Sequence, residues 1–166
     1  MQMQSFKDLP LCAEVLRSIE DLGFETLFPI QAQAIIPLLE GKDVIGQAQT
    51  GTGKTAAFGL PMVQRLNAQV RGVQGLVLVP TRELAVQVAD HMAKFAKYAK
   101  LRVLPVYGGE SINKQVHALA GAVHIVVGTP GRIIDLIERR VLNLSSVKVL
   151  VLDEADRMLD MGFIED

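Results

Sequence analysis

The sequence has one cysteine, Cys12, no tryptophan, and only three histidines, at positions 91, 117 and 124. A single cysteine excludes an internal disulfide and a cysteine-cluster zinc site, and the histidines show no metal-ligand spacing, as expected of surface or packing residues. No apolar run approaches the ~20 residues of a membrane span, and residues 1–10 lack the basic and hydrophobic segments of a secretory signal. These absences predict a soluble, cytoplasmic protein with no membrane partner.

The chain also lacks an excess of charge of either sign, because its 17 Lys and Arg residues nearly balance its 18 Asp and Glu residues. A net charge of -1 excludes the broad basic field that drives non-specific nucleic-acid binding, so any such contact must be local. Lys94, Lys97, Lys100 and Arg102 form a basic stripe, for which the more ordinary interpretation is the solvated face of a helix.

The hydrophobic pattern indicates one α/β domain. Apolar residues recur at helical spacing over 11–22 before Gly23, and a second helix is predicted over 31–39, where Pro37 could end or bend it. From Asp43 onward, short apolar runs alternate with longer amphipathic stretches. The predicted strands are Val44–Gly46, Leu76–Val79, Val103–Tyr107, Ile125–Val127 and Val147–Leu152. This alternation predicts an open parallel sheet with helices on both faces.

Two motifs carry chemistry. Ala48 to Thr55 reads AQTGTGKT, in which the glycines let backbone amides approach phosphate, Lys54 can reach terminal phosphates and Thr55 can join a Mg²⁺ shell. Asp153 and Glu154 follow the last apolar strand, where carboxylates can hold Mg²⁺. Alone, the first could be an ordinary loop, since Ala48 replaces the first glycine of the strict motif, and the second could be a polar helix start. Together they predict one ATP site.

Further polar segments follow the other predicted strands. They are PTRELAVQ from Pro80, the pair Gly108-Gly109, and TPGR from Thr129. Because the carboxyl ends of parallel strands share one edge of a sheet, these segments are expected at one rim with the two motifs above. Thr81 and Thr129 could equally be helix caps, and Pro130 an ordinary first-turn proline.

These motifs, in this order and spacing, resemble the DEAD-box RNA helicases of helicase superfamily 2, and specifically their N-terminal RecA-like P-loop domain. The resemblance covers almost the whole chain and includes VLDEADRMLDMGF from Val151. It implies an ATP-dependent RNA helicase that hydrolyses ATP with Mg²⁺ and binds single-stranded or short duplex RNA through its phosphate backbone. A second hypothesis remains open: a nucleotide-binding module of an RNA clamp or scaffold without productive unwinding. DNA as the substrate is a weaker alternative.

The resemblance assigns roles to matching positions on the ATP side. Gln31 is implied to read adenine, with Phe24 near the base and Phe6 supporting it, although either Phe could be core. Lys54, Asp153, Glu154 and Asp156 are the implied catalytic residues, with Thr55 and Asp153 on the metal and Glu154 on the attacking water. The implied phosphate contacts are Gln49, Thr50, Gly51, Thr52, Gly53, Lys54 and Thr55. Leu27 stands where the family usually has proline, and Phe28 where it has threonine or serine, so position 28 offers no side-chain hydroxyl.

On the RNA side, the resemblance implies hydroxyl, backbone-amide and guanidinium contacts with phosphate oxygens, none of which reads a base edge. The implied residues are Pro80, Thr81, Arg82, Gly109, Thr129, Gly131 and Arg132. Residues 1–166 are expected to be the N-terminal domain, ending before the family's Ser-Ala-Thr motif. The family's second RecA-like domain is therefore the expected partner, and the oligomeric state is left open.

Overall fold

The computed structural model describes residues 4–162, which divide into two compact units. The helical unit comprises the residues up to Asn67 together with His91–Leu101, and the sheet unit comprises Ala68–Asp90 together with the residues from Arg102 onward. None of the helices within 4–162 is long and apolar enough to cross a membrane.

The helical unit begins with a short 3-10 turn over Phe6–Asp8, capped by the Ser5 side chain. Three α-helices follow. They are α1 (Ala13–Asp21), α2 (Pro29–Leu39) and α3 (Lys54–Arg65). Shortly after the end of α1, Gly23 has a φ of +69°, which a residue with a Cβ rarely adopts. The first residue of α2 is a proline, Pro29. Pro37 lies inside α2 and does not end it.

The strand predicted at Val44–Gly46 is wrong. Residues 42–49 have no regular secondary structure, and the Ile45 side chain is fully exposed. A strand persists only where a neighbouring strand satisfies its backbone groups, and the two apolar residues between Asp43 and Gly46 make a run too short to define one alone. In the described part of the helical unit, the only strand-like pairing is the isolated bridge between Ser5 and Thr26.

The sheet unit alternates strands and helices in the predicted manner. Its elements are β1 (Gly75–Leu78), α4 (Arg82–Phe95, whose last turn belongs to the helical unit), β2 (Val103–Val106), α5 (Ile112–Leu119), β3 (Ile125–Gly128), α6 (Pro130–Glu138), β4 (Val149–Leu152) and α7 (Ala155–Asp160). All pairings are parallel, in the order β2-β3-β1-β4, with Leu76 opposite both Val126 and Leu150. The prediction of an α/β fold with an open parallel sheet is confirmed.

An apolar cluster fills the sheet unit beside the strands. Its buried members are Val73, Leu76, Val106, Val123, Val126, Ile133, Leu136 and Leu142. Gly128 ends β3 against this cluster, and a Cβ at that position would lie 2.6 Å from both Ile133 and Val106. The missing side chain therefore lets α6 start close to the sheet.

His124 is a buried histidine whose two ring nitrogens are both used. Its Nδ1 accepts from the Arg102 N–H at 2.9 Å, so Nε2 carries the proton and donates to the Ala68 carbonyl at 3.2 Å. The ring thereby joins the segments that precede β1, β2 and β3. This is a packing role.

Replacing His124 with leucine is expected to lower the free energy of unfolding by about 2 kcal/mol, since a partly buried N–H and a partly buried carbonyl lose their partners. Urea unfolding followed by circular dichroism measures the change. The exposed His117→Leu is the control, for which a change within about 0.5 kcal/mol is expected. Equal stabilities of the two variants would contradict the assigned role.

The basic stripe is not one helix face, because α4 ends at Phe95, before Lys97 and Lys100. Asp21 accepts hydrogen bonds from the Tyr98 hydroxyl and from Lys97 Nζ, the latter at 3.1 Å. These two bonds hold the pKa of Asp21 below its ordinary value of 3.8, and the bond to Asp21 raises the pKa of Lys97. Arg17 lies over the Tyr98 ring, 4.2 Å from its centroid.

A carboxyl whose folded pKa is depressed stabilises the fold above its ordinary pKa, and that stability is lost as the pH falls through the folded value. Asp21→Asn is therefore expected to flatten the fall in stability below about pH 4. Thermal unfolding across this acid range measures it, with the exposed Glu14→Gln as control. An unchanged pH profile in Asp21→Asn would contradict the pairing.

Candidate functional site

The glycine loop, residues 48–53, leads directly into α3. Gly51 and Gly53 have φ of +81° and +77°, and Gly53 is the residue before Lys54, where α3 starts. The Thr52 hydroxyl donates to the Gln49 carbonyl and closes the loop. A Cβ at Gly51 would meet nothing within 4 Å. The first N–H groups of α3 have no intrahelical partner, so this loop and helix start can receive an anion.

Gln31 is only 2% exposed and connects this loop to the start of α2. Its Oε1 accepts from the Phe28 N–H at 2.9 Å, and its Nε2 donates to the Gly53 carbonyl at 3.1 Å. An amide has two donor hydrogens and two acceptor lone pairs, so one of each is left. The predicted adenine-reading residue therefore also supports the glycine loop, which sequence reasoning missed.

The two predicted aromatic residues lie together in the helical unit. Phe6 is 2% exposed and Phe24 is 38% exposed, and their rings stack with centroids 5.9 Å apart. They line a cavity of about 530 Å³ with Leu16 and Ile19. Phe6 is thus a core residue, as its alternative interpretation had it, and Phe24 is the one accessible to a flat ligand.

The acidic segment begins where β4 ends. The Asp153 N–H continues the ladder by donating to the Leu78 carbonyl at 2.9 Å. Glu154 takes the left-handed conformation, with φ 53° and ψ 49°, immediately before α7. Its Oε2 lies 3.4 Å from Arg157 Nη1, while Asp156 is exposed and accepts from the Arg157 N–H at 2.9 Å. The segment is therefore both a strand end and a helix start.

Within residues 4–162 there is no group of three or more His, Cys, Asp or Glu side chains that could hold a metal unaided. Mg²⁺ in phosphate sites needs only one or two carboxylates besides phosphate oxygens and water. The half-buried Asp153 and Glu154 fit that requirement, since carboxylates are the ligands that this cation prefers.

The predicted phosphate-binding residues of the sheet unit lie at the ends of β1, β2 and β3. Pro80 is buried, and Gly131 is exposed. The Thr81 hydroxyl accepts from the Leu84 N–H at 3.3 Å, which makes it a cap of α4. Thr129 precedes α6 without a side-chain cap bond, and Pro130 is the first residue of that helix.

Three of these residues meet at the loop between β2 and α5. The Arg82 guanidinium lies over the Tyr107 ring, 5.0 Å from its centroid, and a Cβ on Gly109 would lie 3.3 Å from Arg82 Nη1. Arg132 donates to the Glu110 carbonyl from Nη1 and Nη2, at 3.3 and 3.2 Å. Two guanidinium groups therefore border a glycine-containing loop, an arrangement suited to phosphate oxygens.

Comparison with known proteins gives consistent matches. A family model described as DEAD/DEAH box helicase matches residues 28–166. The "DEAD-box ATP-dependent RNA helicase CshA" of Bacillus cereus is 55% identical over 164 residues, 99% of this chain and 31% of that protein. Its namesake in Geobacillus kaustophilus is 56% identical over 99% of this chain and 35% of that protein.

A solved structure agrees with them. The crystal structure of a DEAD box protein from the hyperthermophile Methanococcus jannaschii matches with a TM-score of 0.93 and 43% identity, covering 99% of this chain and 45% of that one. The chain thus spans about a third of the curated relatives' length. The family model covers most of the chain, and so this protein belongs to the DEAD/DEAH box helicase family.

Proposed function

We propose that the whole protein is a cytoplasmic ATP-dependent RNA helicase and that residues 1–166 are its N-terminal RecA-like domain, partnered by a second such domain. The observation that carries the proposal is the glycine loop, which reaches α3 through left-handed Gly51 and Gly53 and is held by the buried Gln31. A loop of this shape at a helix start binds phosphate through backbone N–H groups.

ATP is the proposed cofactor of this loop. The backbone of Gln49, Thr50, Gly51, Thr52 and Gly53 would surround its phosphates. Lys54 and Thr55 start α3, so the ammonium group would neutralise the terminal phosphates and the hydroxyl would join the metal shell. Phe24, the exposed member of the stacked pair, would lie near the base, with Phe6 behind it.

Hydrolysis is assigned to the carboxylates that follow β4. Bound Mg²⁺ would supply neutralisation of phosphate charge, and Asp153 with Thr55 would hold it. Glu154 would orient and polarise the attacking water; its side chain is 28% exposed, and its present contact is a 3.4 Å ion pair with Arg157. Asp156 would link the site to the segment that follows in the family.

RNA is the proposed nucleic-acid partner, as a single strand or short duplex. Arg82 and Arg132 would contact phosphate oxygens by charge, while Gly109 and Gly131 would offer backbone N–H groups. Thr81, Thr129 and Pro80 would complete the track. Since none of these groups reads a base edge, binding is expected to be independent of sequence and to weaken with rising salt.

RNA-stimulated ATP hydrolysis tests the proposed function. Phosphate release from Mg-ATP would be measured with and without oligouridine, in the longest form of the protein that can be purified. Stimulation by RNA supports the helicase. ATP binding without RNA-stimulated release would instead support a nucleotide-dependent clamp or scaffold.

Gln31→Ala is expected to weaken ATP binding and to narrow the preference for ATP over GTP. An amide can satisfy adenine's donor and acceptor together, whereas guanine presents the reverse pattern. Calorimetric titration with both nucleotides measures the two effects. The exposed Gln33→Ala, on the same helix, is the matched control. If the variant loses ATP affinity and GTP affinity equally, Gln31 acts only by supporting Gly53, and its proposed role in adenine recognition is wrong.

A further inference from the structure

Gln115 is a buried glutamine that the sequence did not single out, and it touches both ends of the loop between β2 and α5. The loop is residues 107–111. We propose that Gln115 is a positioning residue for RNA binding, which holds this loop and Arg132 in one phosphate-binding arrangement. The inference rests on the proposed RNA-binding function and assigns Gln115 no contact with RNA.

The Gln115 amide makes three polar contacts while its side chain is only 3% exposed. Nε2 donates to the Tyr107 carbonyl at 3.0 Å and lies 3.5 Å from Glu110 Oε2. Oε1 accepts from Arg132 Nη1 at 3.0 Å. A glutamine amide suits this place because it both donates and accepts, and it connects the start of the loop to α6.

Arg132 is held on a second side by the loop itself. Its bonds to the Glu110 carbonyl, at 3.3 and 3.2 Å, and to Gln115, at 3.0 Å, use three of the five guanidinium N–H groups. Two donors remain for a phosphate oxygen. Since arginine loses much rotamer freedom on binding, a guanidinium fixed beforehand binds phosphate at a lower entropic cost.

The same loop bears on the other guanidinium group. Tyr107, whose carbonyl accepts from Gln115, has the Arg82 guanidinium over its ring, and Gly109 lacks the Cβ that would lie 3.3 Å from Arg82 Nη1. Loss of the Gln115 bonds would free the Tyr107 carbonyl and one N–H of Arg132 Nη1, which would leave Arg132 held by the Glu110 carbonyl alone. RNA itself would then have to order the loop and complete the positioning of Arg132.

The first test replaces Gln115 with methionine, which keeps the length and removes both hydrogen-bonding functions. Fluorescence anisotropy with labelled oligouridine is expected to show about tenfold weaker binding. ADP affinity, measured with Mg²⁺ on the same samples, reports whether the loss is confined to RNA. Asn113→Met is the matched control, because Asn113 is an exposed amide on the same helix, and unchanged RNA affinity is expected for it.

A double-mutant cycle with Arg132→Gln separates positioning from general destabilisation. If Gln115 acts through Arg132, the double variant should bind RNA no more than about twofold more weakly than Arg132→Gln alone. Both single variants should also lower the slope of log affinity against log salt by about one. A purely structural defect would lower affinity without this shared loss of one phosphate contact.

The outcomes separate the two levels of the proposal. Unchanged affinity and salt slope in Gln115→Met, or additive losses in the double variant, would overturn the role of Gln115 while leaving RNA binding intact. Absence of RNA binding by the unsubstituted protein at low salt would overturn the proposed function and the inference with it. If Gln115→Met does not fold, Gln115→Glu replaces it as the test. Its carboxylate would neutralise Arg132, so the slope of log affinity against log salt should fall by about one. An unchanged slope there would overturn the inference.

Discussion

Glu154→Gln is expected to reduce ATP hydrolysis by about 10² to 10⁴-fold while leaving ATP affinity within about twofold. In the proposed mechanism the carboxylate acts only when water attacks, so its loss would remove an interaction of the transition state rather than of bound ATP. Glutamine keeps the size of the side chain, and its amide cannot accept a proton. Phosphate release and fluorescent-nucleotide binding would be measured in a form of the protein that hydrolyses ATP.

The control is Glu138→Gln, an exposed carboxylate at the end of α6, for which parental turnover is expected. Glu154 has a left-handed backbone conformation, which is strained for any residue with a Cβ. Glutamine has the same side-chain length as glutamate, so Glu154→Gln tests the chemistry without changing this strain. Parental hydrolysis by Glu154→Gln would remove Glu154 from the mechanism. A large loss of ATP affinity would instead assign it to ground-state binding.

Gly53→Ala is expected to weaken ATP binding by about a hundredfold. Gly53 has a φ of +77°, and a Cβ there would overlap Gln31 Nε2 and lie 3.0 Å from the Phe28 ring. Backbone strain and the lost bond to Gln31 each cost about 1–3 kcal/mol, and together they would displace the loop from its phosphate-binding shape. Calorimetric titration with ATP and Mg²⁺ measures the loss.

Two other glycines separate these causes. Gly51→Ala imposes the same kind of strain inside the loop, at φ +81° with nothing within 4 Å, so a smaller loss is expected. Gly162→Ala imposes it outside the loop, at φ +79° and also with nothing within 4 Å, and should leave ATP affinity unchanged. Equal affinities of Gly53→Ala and Gly51→Ala would show that the contact with Gln31 does not shape the loop.

Sequence reasoning predicted the parts of this molecule that local patterns determine. The apolar runs that became β1, β2, β3 and β4 are long enough to identify buried parallel strands, and polar residues at their ends follow from that topology. The run at Val44–Gly46 was misassigned because a strand depends on a partner that no local pattern supplies. Thr81 is a case in which a local pattern sufficed. The sequence offered helix capping as one interpretation of this residue, and its hydroxyl does cap α4.

What the sequence could not show are contacts between residues distant along the chain. Gln31 and Gly53 belong to separate motifs, and nothing in either motif indicates the bond between them. Gln115 and His124 have no sequence signal at all, because a polar residue in an amphipathic stretch is exposed by default. Their roles follow only from burial together with partners on other elements.

The strand order β2-β3-β1-β4 also determines when the sheet can form during synthesis. β2 pairs only with β3, and β1 pairs with β3 and β4, so no two strands of the described sheet can pair before Ile125–Gly128 has left the ribosome. Until then, two apolar strands are exposed without partners in a growing chain, the condition in which aggregation competes with folding. Only after β3 has emerged can the nascent chain cover its apolar strands by pairing them, which lowers their exposure to aggregation.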